Sequence, residues 1–493
     1  MTHAPIPPAR FTPALIRIVA TVSAGFIVTQ LDVTIVNIAL ARLAADLNAS
    51  VARLQWIVDA YTLAFAVLML SSGVLGDRYG ARRMYAAGLA VFALASLACG
   101  LASAPAALIA ARAVQGAGAA LMLPNSLALL NDACRHDRAL RARAVGFWTA
   151  AGAISIAAGP VAGGLLIAAF GWRSIFLVNL PLCAAGLAAT LAWVPASHRT
   201  ASHGTPCNQA GEPQRPAVRS LDVRGQLLAI VALTAFTGAV IEWRPLGFAH
   251  PAVIGGFVLA LVALCMFVRF ETRLADPMLP LAMLRHPTFG AAVLFGVCVN
   301  LTYYGTVFVL ALYLQHARGE SPLQAGLAFM PLTGGFLLSN IASGHAVARY
   351  GARLPMIVGA LVAASGYALL SVIDAATPLA AVLAPCLLIP LGMGLAVPAM
   401  TTAVLASVEP ARAGTASALL NTARQAGGAV GVAAFGALSG TGAATQVVAG
   451  LHADTAISTA LLLAAAGFAW FVRQDAVPAP GRAPRAARLD GSH

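Results

Sequence analysis

Lysine is absent from the 493 residues; all 30 basic side chains are arginine. Without lysine there is no phosphate-loop lysine for a nucleotide and no Schiff-base lysine for a pyridoxal cofactor, which argues against ATP hydrolysis and aldimine chemistry. Charge of either sign is scarce, 10% of residues against about 25% in a soluble protein. Cysteine is sparse too: Cys99, Cys134, Cys183, Cys207, Cys265, Cys298 and Cys386 lack metal-site spacing and read as small packing residues. No Gly-x-Ser-x-Gly or His-Glu-x-x-His occurs, and the ten histidines are scattered, so nothing suggests an enzyme, a metal or a cofactor. What is abundant is apolar surface. With 60% hydrophobic residues and about 20 needed per bilayer-spanning helix, the chain reads as an all-α integral membrane protein.

Apolar runs between charged or Gly/Pro-rich breaks predict fourteen spans, at 14–40, 52–74, 84–103, 106–131, 143–169, 174–195, 223–243, 251–270, 288–314, 322–345, 354–373, 378–405, 413–438 and 455–473. The first is too long for a signal peptide and lacks a small-residue cleavage site, so it reads as retained. An even count puts both termini on one side. On that side fall most arginines, among them Arg78, Arg82, Arg83, Arg141, Arg143, Arg349 and Arg353, leaving Arg42, Arg53, Arg173, Arg244 and Arg318 opposite and Arg112 and Arg424 within spans. Basic residues accumulate at cytoplasmic span ends, so the termini are expected inside. The net charge of +13 is then a topology and anionic-lipid signal, with no nucleic acid implied. Trp56, Trp148, Trp172, Trp193, Trp243 and Trp470 lie near predicted span ends, as an interfacial belt requires.

The polar stretch 196–222 reads as a cytoplasmic linker, and 474–493 as a disordered cytoplasmic tail. Tyr79-Gly80-Ala81-Arg82 recurs as Tyr350-Gly351-Ala352-Arg353, and Arg143 to Gly159 runs parallel to Arg412 to Gly428. Two repeats at a constant separation of about 270 residues predict two homologous bundles. The expected organisation is a six-helix bundle over 1–195, the linker, two additional helices over 223–270 and a second six-helix bundle over 271–473.

Gly73-Val74-Leu75-Gly76-Asp77-Arg78-Tyr79-Gly80-Ala81-Arg82-Arg83 resembles the loop signature between the second and third helices of the major facilitator superfamily. There, glycines allow a tight turn, and Asp77 with Arg78, Arg82 and Arg83 forms a charge cluster suited to an inner gate; the second copy carries Ala348 in place of the aspartate. The stretch from Leu108 to Gly118 is similar to the family's fourth-helix motif, which implies a role for Arg112 in proton transfer. Gly152, Ser155, Gly159 and Gly163 share one smooth helix face, and Gly159-Pro160-Val161-Ala162-Gly163-Gly164 resembles the motif of the superfamily's exporters. Leu31 to Leu40, Gly171-Trp172-Arg173 with Phe176 to Pro181, and Asn421 to Gln425 with Gly427-Gly428 are similar to the fourteen-helix drug/proton antiporter branch, from which Ser174 and the extra carboxylate Asp59 depart.

The resemblance implies a major facilitator fold in a bacterial-type cytoplasmic membrane. The protein would exchange protons for drugs or other amphipathic small molecules by alternating access, needing no nucleotide and conferring resistance by efflux. A proton-coupled importer, a dedicated exporter of one endogenous metabolite and a non-transporting sensor are the alternatives. The resemblance implies that Asp32, within the antiporter signature, and Arg112 couple protons; a charge inside a span costs about 2.5–3.5 kcal/mol, so Arg112 needs a partner or a wet cavity. Asp32, Asp59 and Arg112 are expected at one depth, where burial penalises the carboxylate charge and the arginine favours it. Gln55, Asp59 and Thr62 share a face of the second span. With Asn300 and Tyr304 in the ninth and Asn421, Arg424 and Gln425 in the thirteenth, they are candidates to line the substrate cavity. In the first span, Asp32 stands roughly 160° from the face carrying Gln30, Thr34 and Asn37, so either Asp32 or that face looks into the cavity.

Overall fold

The computed structural model describes residues 11–134, 137–195, 222–274, 279, 281–409, 413–440 and 443–473. Most of the expected linker and the whole expected tail lie outside them. Among the described residues there is no strand. Thirteen helical segments are long and apolar enough to cross a membrane, and a further 26-residue helix, Ala413–Leu438, is diluted in hydropathy by Asn421, Arg424 and Gln425.

The order is α1 Pro13–Leu47, α2 Val51–Tyr79, α3 Ala81–Leu101, α4 Pro105–Ala133, α5 Arg138–Phe170, α6 Ser174–Leu177 and α7 Asn179–Trp193. Then come α8 Val223–Leu246, α9 Pro251–Glu271, α10 Pro287–Leu312, α11 Pro322–Ala328, α12 Met330–Tyr350, α13 Arg353–Leu370, α14 Leu379–Ala406, α15 Ala413–Leu438 and α16 Ala444–Ala469. Helix starts follow local chemistry: Thr12, Ser50 and Ser321 accept from the backbone N–H three residues on, and proline opens α1, α4, α9, α10 and α11. Gly80 and Gly351 both turn at positive φ, 96° and 74°, so the repeated Tyr-Gly-Ala-Arg is a repeated backbone device.

The last span corrects the sequence reading. It begins at Ala444 where 455 was expected, because His452 and Asp454 depress the hydropathy of its first half; both lie inside the helix. The first span also runs on to Leu47.

Two apolar cores fill the molecule. One draws only on residues between Leu15 and Val194 and includes Val19, Met69, Leu130 and Ala144. The other joins Ile35 to Leu47 of α1, Val51 to Val58 of α2 and Leu108 and Ala111 of α4 to α10 and the helices after it. These segments of α1, α2 and α4 all lie toward the arginine-poor end, so the halves share a packed core at that end. The smooth side of α5 reinforces it. A Cβ at Gly164 would sit 2.8 Å from both the Leu323 Cα and the Pro322 carbonyl oxygen of α11, and Gly326 of α11 presses closer still to the Pro160 carbonyl. Gly152, Gly159 and Gly163 fit against Phe26, Thr34 and Ile35 of α1.

Helix α8 packs against both α2 and α15. There Gln226 donates to the Val67 carbonyl at 2.8 Å and accepts from the Ser71 hydroxyl. Val258, Leu259, Leu261, Val262 and Leu264 of α9 are exposed, an apolar surface that a soluble protein would not carry.

Candidate functional site

Asp32 and Arg112 form an ion pair with no exposed surface to speak of, 0% and 1%. Three residue types complete the shell. The Gln115 amide donates to Asp32 Oδ1 at 2.8 Å and to Ser96 Oγ at 2.9 Å, and the Asn179 amide donates to the same carboxylate oxygen at 3.2 Å. Arg112 donates in turn to Gln115 Oε1 at 2.7 Å and, through Nε, to the Ile57 carbonyl at 3.1 Å. Its guanidinium lies 4.3 Å from the centre of the Tyr61 ring. Gly116, lacking a Cβ, lets the Tyr61 backbone approach α4, and the Tyr61 hydroxyl donates to the Thr29 carbonyl at 3.3 Å. A buried ion pair is tolerated when further hydrogen bonds satisfy its lone pairs, and here α1, α3, α4 and α7 each contribute.

Arg112 also borders a cavity whose other walls are Val33 and Asn37 of α1, Val58, Tyr61 and Thr62 of α2, Tyr304 of α10 and Val432 of α15. The two-sidedness of α1 is thereby resolved. Asn37 looks into the cavity and donates to the Val33 carbonyl at 2.9 Å, whereas Asp32 faces the interior of its own bundle. Arg112 joins the two compartments.

Of the substrate-cavity candidates, Thr62 and Tyr304 line this cavity, and the others are placed elsewhere. The Gln55 amide donates to the Val432 and Ala433 carbonyls of α15 at 3.1 and 2.7 Å, latching one half to the other. Asp59 does not meet the Asp32–Arg112 pair; it is fully buried and neither carboxylate oxygen has a hydrogen-bond partner. Arg424 Nε donates to Asn300 Oδ1 at 3.1 Å, and Asn421 turns back on its own helix to the Ser417 carbonyl at 2.9 Å. Gln425 is half-buried. In the loop motif, Arg82 reaches the Thr190 and Leu191 carbonyls at 3.3 and 2.8 Å, where a cation complements the end of α7. Arg78 lies over the ring of Tyr79, Gly76 packs on Asn125, and nothing lies within 4 Å of a Cβ built on Gly73.

Sequence reasoning passed over Ser96, Gln115 and Asn179 as functional residues. Gln115 and Asn179 lay within quoted motifs, but only tertiary contact shows their amides on one carboxylate.

The Gln55 latch yields a first expectation. Gln55→Ala should cost the closed arrangement about 1 kcal/mol, the usual worth of such a bond, and populate the open one about fivefold more. Thiol labelling of Val432→Cys from the arginine-poor side should rise accordingly; an unchanged rate would show that the latch carries no energy.

Residues 22–432 match the family model of the Major Facilitator Superfamily. The chain belongs to that superfamily. It is 39% identical over 427 residues to the methylenomycin A resistance protein of Streptomyces coelicolor, covering 87% of this chain and 86% of that one. It is 35% identical over 424 residues to the multidrug resistance protein Stp of Mycobacterium tuberculosis, covering 86% and 75%. The tetracenomycin C resistance and export protein of Streptomyces glaucescens is 34% identical over 420 residues, covering 85% and 74%. Among solved structures, a bacterial homolog of the human lysosomal transporter Spinster, inward-facing and occupied, superposes with a TM-score of 0.64 at 16% identity, covering 94% of this chain and 97% of that one. The fold is thus that of a major facilitator, a multi-pass membrane transporter.

Proposed function

We propose that the protein exports amphipathic small molecules across a bacterial cytoplasmic membrane in exchange for protons, with the arginine-rich end and both termini inside. The observation that carries this reading is the double engagement of Arg112, which binds the buried Asp32 carboxylate while forming part of the cavity wall. Protonating Asp32 cancels its attraction for the guanidinium and frees Arg112 toward the cavity. Substrate and proton then compete through one side chain, which is the coupling an exchanger needs.

The cavity suits the substrate class. Tyr61 and Tyr304 offer aromatic faces, Val33, Val58 and Val432 an apolar wall, and Asn37 and Thr62 hydrogen bonds. Relatives matched over 84–87% of this chain are named for resistance to, or export of, antibiotics, and the Gly159 to Gly164 stretch favours export over uptake. The packed core at the arginine-poor end corresponds to a state closed to the outside. Asp77, Arg78, Arg82 and Arg83 would bias the opposite gate.

Each charge crossing 100 mV contributes about 2.3 kcal/mol, enough for a roughly fiftyfold gradient. Efflux from loaded cells of a pump-deficient bacterium expressing the chain should therefore stop when an uncoupler is added. Efflux that survives the uncoupler and needs ATP would refute the proposal.

A further inference from the structure

We infer that Asp454 is a second, reversibly protonated carboxylate, occupying in the C-terminal half the place that the Asp32 cluster occupies in the N-terminal half. Asp454 lies within α16 and has no exposed surface. Its Oδ1 accepts from Thr306 Oγ1 of α10 at 2.9 Å and from Ser458 Oγ at 3.1 Å, while Oδ2 is buried without a partner. Beside it, against Thr302 and Thr306 of α10, is the Tyr367 hydroxyl of α13, also fully buried.

The helices involved match those of the first cluster. Asp32, Ser96 and Asn179 come from the first, third and sixth spans of their half, and Thr306, Tyr367 and Asp454 from the first, third and sixth of theirs. Ser96 and Tyr367 stand at the same separation as Tyr79 and Tyr350 of the sequence repeat. The carboxylate has moved from the first span to the sixth, and the basic partner is gone. Leu383, at the corresponding place in α14, is apolar.

Among the described residues no other charge compensates. Around Asp454, α10 presents Tyr303 and α13 presents Tyr367, while Arg353 at the far end of α13 covers the Trp470 ring. Arg424, the one charged residue of α15, is engaged with Asn300. On α16 itself, His452 hydrogen-bonds the Ile373 carbonyl at 2.6 Å. Tyr313 and His316 lie on the π-helical turn Tyr313–Ala317 that packs against α16, and Tyr313 donates to the Asp374 carbonyl. A buried carboxylate with two hydroxyl donors on one oxygen and no cation leaves the other oxygen unsatisfied, and a proton on Oδ2 removes the charge. The route is present in outline: Tyr304 on the cavity wall stacks edge-to-face with Tyr303 at 5.4 Å, and Tyr303 neighbours Tyr367.

The inference shares with the proposed function only the identity of the ion, and it is read without transport. Infrared difference spectra of the purified full chain in lipid should show a protonated-carboxyl band that vanishes as pH is stepped from about 5 to about 9, the range spanned by buried carboxyls. The band should be lost in Asp454→Asn, displaced in Asp454→Glu, and given a different midpoint by Ser458→Ala. The glutamate and alanine variants decide the matter if the asparagine variant does not fold. A band indifferent to all three substitutions, one constant across the whole range, or one that responds to sodium at fixed pH would overturn it. Uncoupler-insensitive export alongside a titrating Asp454 band would sink the export proposal and leave this one standing.

Discussion

Replacing Arg112 by alanine should destabilise the protein by about 3–5 kcal/mol, because it strands the Asp32 carboxylate in the bundle core with only Gln115 and Asn179 as donors. Neutralising both partners in Asp32→Asn with Arg112→Gln should restore most of that loss, since no charge is left buried. Transport should behave differently. Arg112→Ala, Asp32→Asn alone and the double variant should all lack proton-coupled export, as none retains both a carboxylate that can exchange its proton and the cavity arginine. Melting temperature and uncoupler-sensitive efflux, measured on the same three proteins, separate the two roles. A double variant as unstable as Arg112→Ala would mean that packing and not charge dominates the site. Coupled export by any of the three would remove Asp32 and Arg112 from the mechanism.

The second large effect is expected at the seam between α5 and α11. Gly164→Val would drive a branched side chain into the Leu323 and Pro322 backbone, which cannot move aside as a flexible side chain can. Overpacking of about 1–3 kcal/mol lowers the closed population about five- to 150-fold and arrests alternating access. In a variant freed of its own cysteines, Asn37→Cys should then label quickly with an impermeant thiol reagent added from the arginine-poor side, and efflux should fall with it. Slow labelling, equal to that of the Gly164 parent, would show that the seam is not where the halves close.

Asp59 shows how a residue can be visible in the sequence while its surroundings are not. Its spacing from Gln55 and Thr62 placed all three on one side of α2, and the structure agrees for the two that can be followed, Gln55 against α15 and Thr62 on the cavity. What the carboxylate itself meets depends on the helices across from it, and it meets no donor. A place for Asp59 in the substrate cavity therefore calls for an arrangement other than this closed one.

By itself the sequence determined the class of the molecule. Hydropathy places the helices, because a backbone crossing a bilayer must satisfy its hydrogen bonds within each segment. The repeated Tyr-Gly-Ala-Arg announced a repeated turn, since the positive φ it needs is a local property of glycine. The exporter and antiporter stretches named the family for the same reason, being contiguous. Only the tertiary structure decided which polar groups face one another. Asp32 accepts from residues 80, 83 and 147 positions away, and no periodicity within α1 can reveal them. Asp454 is the extreme case. Read along the chain, a histidine and an aspartate break an apolar run and look like the end of a loop, whereas in the folded protein hydroxyls on its own helix and on one 148 residues distant make that carboxylate part of the core.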